Sequence, residues 1–284
     1  MAEPFGIVAG TVGIAAAFTT CVDCFGYIQL GRHFGKDYHT NLLMLSMARL
    51  RLSRWGEAVN IHGDPQLGNP KATGEDVQLA KNTLLQILVL FADTEKVSKK
   101  FKLTAKSGDL TSYTAADMEP AILGLNNKMR DLAIKRQKGT SLLKLTSWAV
   151  YDWAEFNKLI DSITKLVDGL QALFPAPKAE EKRLVDEEVD AVKDEQDLKI
   201  LEKVAGNTDT LFRTTAAAAR TGHFYMNTEA TENAKMFNGN SYGKDWVGNK
   251  GAQSAHVFDG VKASGSAMVQ NGDRHGEKDF FDTS

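Results

Sequence analysis

Leucine stops at Leu211 and isoleucine at Ile200, although the chain runs on to Ser284. All six prolines (Pro4, Pro65, Pro70, Pro120, Pro175 and Pro177) lie before residue 178. Past Leu211 the chain is Gly, Asn, Ser, Ala and interspersed charge. Such a stretch lacks the aliphatic mass to offset its ordering entropy as a lone globule. Cysteine is scarce too. Cys21 and Cys24 alone exclude a secreted disulfide framework and point to a reducing, intracellular setting. Net charge is only -2, with a pI near 6.3, so no global basic field suggests nucleic acid or constitutive attachment to an anionic membrane. The N-terminus lacks a basic n-region, which argues against a cleaved signal peptide. A Gly-rich phosphate loop, HExxH and GxSxG are all absent. The six histidines (33, 39, 62, 223, 256 and 275) fall at no ligand spacing. We expect no catalytic residue, no metal and no cofactor, and the chain does not read as an enzyme.

What is present begins with residues 5–22, FGIVAGTVGIAAAFTTCV, an uncharged run of 18 residues. That length sits at the lower edge of a bilayer-spanning helix. Gly6 and Gly10 form a GxxxG, with Gly13 following, which allows close helix approach in lipid. Small residues make the run weakly apolar, so a buried core helix is the competing reading. Both hold if the helix is docked at rest and released on activation. Phe5, Gly6, Ile7, Val8, Gly10, Val12, Gly13, Ile14, Phe18 and Val22 are then the candidate membrane-inserting residues, and Asp23 ends the run. The CxxC at 21–24 admits a redox pair or half a zinc site, and an enzyme using Cys21 and Cys24 would follow. It lies inside an apolar helical pattern without a second ligand pair, so it reads as two buried thiols.

Gly31–Gly35 makes a break. A helix follows to about Val59, with Leu42, Leu45, Leu52, Trp55 and Val59 at helical spacing and Arg49, Arg51 and Arg54 among them. Those arginines read as a solvated or salt-bridged face. Residues 62–76 are a loop by Gly/Pro punctuation, and Thr73 is an N-cap with Asp76 three residues on. Further helices are expected over Val77–Phe101, Met118–Lys138, and Thr140–Phe174 with a break at Asp152. A charged helix follows over Glu180–Ala205, and Ala216–Ala219 extends helix toward the tail. No strand-period alternation occurs before residue 210.

The tail is written twice. Displaced by 33 positions, His223 falls on His256, Ala230 on Ala263, Ala234 on Ala267, Asn238 on Asn271, Gly239 on Gly272 and Gly243 on Gly276. Glu229 falls on Lys262, Lys244 on Glu277 and Asp245 on Lys278, each pair of opposite charge. Trp246 matches Phe280 or Phe281 only with one residue inserted in the second copy. Stacked as parallel rungs, such copies form polar ladders and compensate charge. The repeats, 223–246 and 256–281, thus predict two layers of one β-solenoid that needs neighbours on both open faces. We read residues 1–221 as an all-α helical bundle. Residues 222–284 read as a tail, disordered as a monomer, that orders on assembly.

The strings EPFGIVAG (3–10), CVDCF (21–25), QLGR (29–32), LSRWGEAV (52–59), VQLAK (77–81) and SWAVYD (147–152) together resemble the HeLo domain of the fungal HET-s/HET-S proteins. The C-terminal repeats resemble the prion-forming domain of that family in place and architecture, with a spacing slightly tight for it. The resemblance implies an all-α HeLo bundle and a tail that forms a two-rung β-solenoid amyloid. It implies templating by existing amyloid of the same chain or a related prion-family protein, or by a NOD-like receptor carrying a similar motif. In the toxic form, tail assembly unfolds the HeLo domain and its N-terminal helix enters membrane lipid, which produces heterokaryon incompatibility and cell death. The chain would be cytoplasmic when inactive and at the plasma membrane on activation, with no nucleic-acid partner. The alternative is a non-toxic prion-forming variant without membrane activity. Asp23 and His33 lie where that distinction is expected to be set.

Overall fold

The computed structural model describes residues 12–31, 34, 37–105, 112, 117–139, 147–206, 208–221, 223–225, 228–238, 241–242, 256–258, 261–272 and 274–275. It divides into two compact units. One comprises Met1–Val192 with Val204–Thr210, the other Lys193–Lys203 with Leu211–Ser284.

The first unit holds helices α1 (Ile14–Cys24), α2 (Tyr38–Ala58), α3 (Gly74–Thr104), α4 (Pro120–Gln137), α5 (Trp153–Leu173) and α6 (Lys178–Val192). Helix α2 packs against α4, α5 and α6, and α3 packs against α1 and α5. The local causes are readable. Thr73 and Asp76 close a reciprocal capping box at the start of α3: the Thr73 side chain accepts from the Asp76 amide at 3.2 Å, and the Thr73 amide donates to Asp76 at 2.8 Å. Pro120 opens α4, where its missing N–H is no loss, and Lys138 closes it with φ 45°. The Asp152 carboxylate accepts from the Glu155 amide at 2.9 Å and starts α5, whose Phe156, Leu159, Ile160, Ile163, Val167 and Leu170 fill the core at helical spacing. Trp55 is fully enclosed, and its indole N–H donates to the Phe174 carbonyl at 3.1 Å.

Two expectations are corrected. The Thr140–Phe174 segment is not helical throughout: Trp148–Val150 is a strand, β2, paired in parallel with β1 (Ile28–Leu30). All three residues of β2 are buried, so alternation could not announce it. The charged helix of Glu180–Ala205 breaks after Val192. Lys193 takes φ 60°, and the Asp194 carboxylate accepts from the amides of Gln196 and Asp197 at 2.9 and 3.0 Å, starting α7 (Glu195–Ala205).

In the second unit α8 (Thr210–Thr221) is followed by six short strands: β3 (His223–Tyr225), β4 (Phe237–Asn238), β5 (Ser241–Tyr242), β6 (His256–Phe258), β7 (Gln270–Asn271) and β8 (Arg274–His275). They form three parallel pairs, β3 with β6, β4 with β7 and β5 with β8. His223 pairs with His256, Asn238 with Asn271 and Tyr242 with His275, while Glu229 and Lys262 make a further parallel bridge. Every partner lies 33 positions on, the displacement read from the sequence.

Candidate switch site

Helix α1 carries the described part of the predicted membrane segment. Its Ala17, Phe18, Thr19, Thr20, Cys21, Val22 and Cys24 are buried, whereas Ile14 is half-buried and Val12 and Gly13 precede the helix. Phe5, Gly6, Ile7, Val8 and Gly10 lie outside the described residues, as does His33. The helix has 11 residues, about 16 Å at 1.5 Å per residue, against the roughly 30 Å of a hydrocarbon core. Among the described residues no helix is long and apolar enough to cross a membrane.

Several contacts hold α1 down. The Phe18 ring meets His62 edge-on at 5.7 Å and lies over Gly56 of α2. The Thr19 hydroxyl donates to the Gln137 carbonyl at 3.3 Å, and the Gln137 amide donates to Asp23 at 2.7 Å. Asp23, predicted to end the apolar run, therefore ties the last turn of α1 to the end of α4. The Cys21 thiol donates to the Leu84 carbonyl of α3 at 3.1 Å. Both thiols are free and buried, and burial above all pushes their pKa well up. A redox or metal-binding cysteine needs an accessible thiolate, so the geometry fits the reading of two core thiols.

The arginines of α2, expected on a solvated or salt-bridged face, are salt-bridged at Arg51 and Arg54, but Arg54 is buried, in a charged cluster whose partners the sequence did not mark. Arg54 lies between Asp209 and Glu188, 3.4 Å from the latter, and Arg136 of α4 pairs with Glu188 from the other side. All four are almost wholly buried. Burial opposes the Arg54 cation, but Asp209 and then Glu188 outweigh it and raise its pKa. Burial raises the Glu188 carboxyl in spite of both arginines. Arg51, one turn earlier, donates to the Thr208 carbonyl at 2.8 Å and to Asp168 at 2.6 Å. Two arginines of α2 thus grip residues 208–209, the turn before α8. The signal available was Arg54 itself, set beside Trp55 and Leu52 in a stripe too apolar to be solvated.

In the tail, backbone hydrogen bonds run between the copies: Glu229 N–H to the Val261 carbonyl at 3.0 Å, Ala263 N–H to Glu229 at 3.2 Å and Phe237 N–H to Val269 at 3.0 Å. Asn271 and Ala267 are buried, and their partners Asn238 and Ala234 are exposed. Glu229 and Lys262 are both exposed. Asn233 and Ser266, again 33 apart, take φ 66° and 62°. The copies repeat a left-handed turn that their differing side chains concealed. Gly272 takes φ 113°, a conformation reserved for glycine. Gly239, Gly243, Lys244, Asp245, Trp246, Gly276, Glu277, Lys278, Phe280 and Phe281 lie outside the described residues.

A helical bundle that buries most of its first described helix, α1, and leads into a two-layer parallel repeat defines the class. The chain belongs to the HeLo family, described as "Prion-inhibition and propagation", whose model matches residues 6–201. It is 44% identical over 217 residues to heterokaryon incompatibility protein s of Podospora anserina, covering 76% of this chain and 75% of that one. It is 37% identical over 292 residues to heterokaryon incompatibility protein S of the same fungus, covering 99% and 100%. The solved HET-S N-terminal domain superposes with a TM-score of 0.71 at 43% identity, over 78% of this chain and 99% of that one. A doubly substituted HET-s N-terminal domain does so at 0.68 and 42%, over 74% and 99%. The family is one of non-enzymatic, incompatibility-type cell-death proteins.

Proposed function

We propose that this chain is a prion-controlled effector of heterokaryon incompatibility, switched by amyloid templating of residues 222–284. One observation carries the reading: the two tail copies pair in parallel at a single displacement of 33, directly after α8. Among the described residues each tail sheet has two strands, so further strands can add at either edge. The strands would come from another copy of this chain, a related prion-family protein or a receptor segment of like pattern. The candidate ladder residues are Asn238 and Asn271, Ala234 and Ala267, Gly239 and Gly272, Gly243 and Gly276, the three charge pairs and the closing aromatics.

Only one residue separates Thr221 of α8 from His223 of β3. Fixing β3 in a fibre therefore pulls on α8, and beyond it on the turn gripped by Arg51 and Arg54. Parting a buried ion pair costs about 3–5 kcal/mol, a large share of the stability of an ordinary domain. Gly56, two residues after Arg54, seats Phe18, so loosening this end of α2 loosens α1. The freed N-terminal segment, Phe5–Val22, would then enter the plasma membrane of a cell in which the resting chain is cytoplasmic. Assembly crowds many such segments together and raises their effective concentration at the bilayer.

The test is dye leakage from anionic liposomes with monomeric full-length chain, with and without preformed fibrils of residues 218–284. Leakage only with fibrils supports the effector. Fibril growth without leakage makes this a non-toxic prion-forming variant. Absence of any templating removes the proposal.

A further inference from the structure

Between the turn that follows α1, the middle of α2 and α4 lies a cavity of about 160 Å³. Phe25, Ile28 and Leu42 supply apolar wall, and Ser46, Arg49, Asn126 and Arg130 supply its polar groups. Arg49 is the anomaly. Its residue is 94% buried, with 6% of its surface exposed, yet its guanidinium makes no hydrogen bond and no ion pair among the described residues, and its Nε has no acceptor. Burial above all lowers its pKa, and the more distant pull of Asp23 and Asp131 does not make up for it. The carboxylates that act on it from a distance are engaged elsewhere, Asp23 by Gln137 and Asp131 by Arg130. Gly26 makes the room: a side chain there would begin 3.5 Å from the Arg49 Nη1.

We propose that this cavity binds a phosphate-type oxyanion, with Arg49 as its principal donor. A guanidinium presents a planar fork that matches two oxygens of a phosphate. The Ser46 hydroxyl donates to Asn126 Oδ1 at 2.5 Å, which leaves the Asn126 amide nitrogen as a donor. Arg130, exposed at the rim and paired with Asp131 through Nε and Nη2, adds a further donor rather than a free charge. The volume is several times the roughly 30 Å³ share of a water and below the roughly 300 Å³ of a drug-sized pocket. A phosphate group fits. Because the walls join residues just after α1 to α2 and α4, an anion bound there stabilises the folded bundle. The inference stands whether or not the chain permeabilises membranes.

The experiment uses the full-length monomer and inorganic phosphate, with chloride at matched ionic strength as reference. We expect phosphorus-31 line broadening and a Tm rise of roughly 5–10 °C at a hundredfold excess over Kd, both lost in Arg49→Met. Should that variant not fold, Arg130→Gln combined with Asn126→Leu is expected to weaken phosphate binding at least tenfold. Flotation with phosphatidylcholine vesicles, with and without phosphatidic acid, separates the sources. Phosphate-competed binding to the acid-containing vesicles assigns a lipid headgroup, and phosphate binding without vesicle binding assigns a soluble phosphate. Wild-type protein that neither broadens the phosphorus line nor gains Tm beyond the chloride reference overturns the proposal. So does a folded Arg49→Met that responds to phosphate as wild type does.

Discussion

Phe18 of α1 lies so close to Gly56 of α2 that a methyl group at position 56 would come within 2.3 Å of its ring. Gly56→Ala must therefore displace the Phe18 ring or one of the two helices. We expect a loss of about 1–3 kcal/mol from overpacking, read by chemical denaturation. Phe18→Ala leaves a cavity instead and costs about 3–5 kcal/mol. Because the two residues touch, the double variant should be less destabilised than the sum. Strict additivity would remove this contact from the account of how α1 is held.

Cys21 and Cys24 report on the docking of α1. Both thiols are buried with raised pKa, so the resting monomer should resist thiol reagents at pH 8. Seeding with tail fibrils should make them reactive on the timescale of fibril growth. Thiols that stay protected while the fibrils elongate would show that α1 never leaves. The pH dependence has a fixed sign. Folded thiols with raised pKa contribute stability that is complete below the ordinary value near 9.0 and is lost as pH rises above it. A Cys21→Ser, Cys24→Ser chain should lose less stability between pH 8 and pH 10 in thermal melts.

Arg54 and Asp209 test the grip on the turn before α8. Arg54→Met leaves Glu188 and Asp209 without their shared cation, at a cost of about 3–5 kcal/mol. Asp209→Asn keeps a hydrogen-bond acceptor and should cost less. Both should leak dye from liposomes at lower seed concentrations than wild type. Equal seed requirements in the presence of the expected destabilisation would uncouple the cluster from activation.

Exchange of charge across the repeat checks its register. Glu229→Lys places two lysines at one bridge and should slow seeded elongation followed by thioflavin fluorescence. Adding Lys262→Glu restores opposite signs and should restore much of the rate. A double variant as slow as the single one would mean that these positions do not meet in the fibre.

Gly272 and Gly124 make a contrasting pair. Gly272→Pro forces φ negative where the chain takes 113° and removes an amide donor, so elongation should stop. A side chain at Gly124, inside α4, meets nothing within 4 Å. Gly124→Ala should stabilise the bundle by roughly 1 kcal/mol through helix propensity and leave elongation alone. Fibrils from Gly272→Pro at the wild-type rate would displace the assigned turn.

What could be read beforehand depended on range. Thr73 with Asp76, and Asp152 before Trp153, carry their signals within three residues. The tail register was legible because the copies state their own pairing: His223 and His256 lie far apart but look alike. Arg54 gave no such hint, since its partners sit at 188 and 209 and share no pattern with it. Strand β2 is three buried residues long and pairs some 120 positions away, so neither alternation nor a nearby turn marked it. Asp194 is an ordinary cap hidden in a run where every second or third residue is charged. Among the site residues, Asp23 was found by its place at the end of an apolar run. Arg49 could be recognised only once it was seen to be buried without an ion pair among the described residues.

The constant displacement of 33 also sets a condition that any chain joining a fibre of the proposed kind would have to meet. Three strand pairs and the Glu229–Lys262 bridge hold one spacing, so no intervening stretch can lengthen alone without a compensating bulge. A slip of one residue turns every later side chain to the opposite face. A foreign chain with a residue inserted inside one copy, rather than between the copies, would match the first segment and then fall out of step, however similar its residues. Under the proposed templating, the spacing of segments within a copy would act as a barrier to cross-seeding, and a single residue inserted within one copy would be enough to found a new, mutually blind strain.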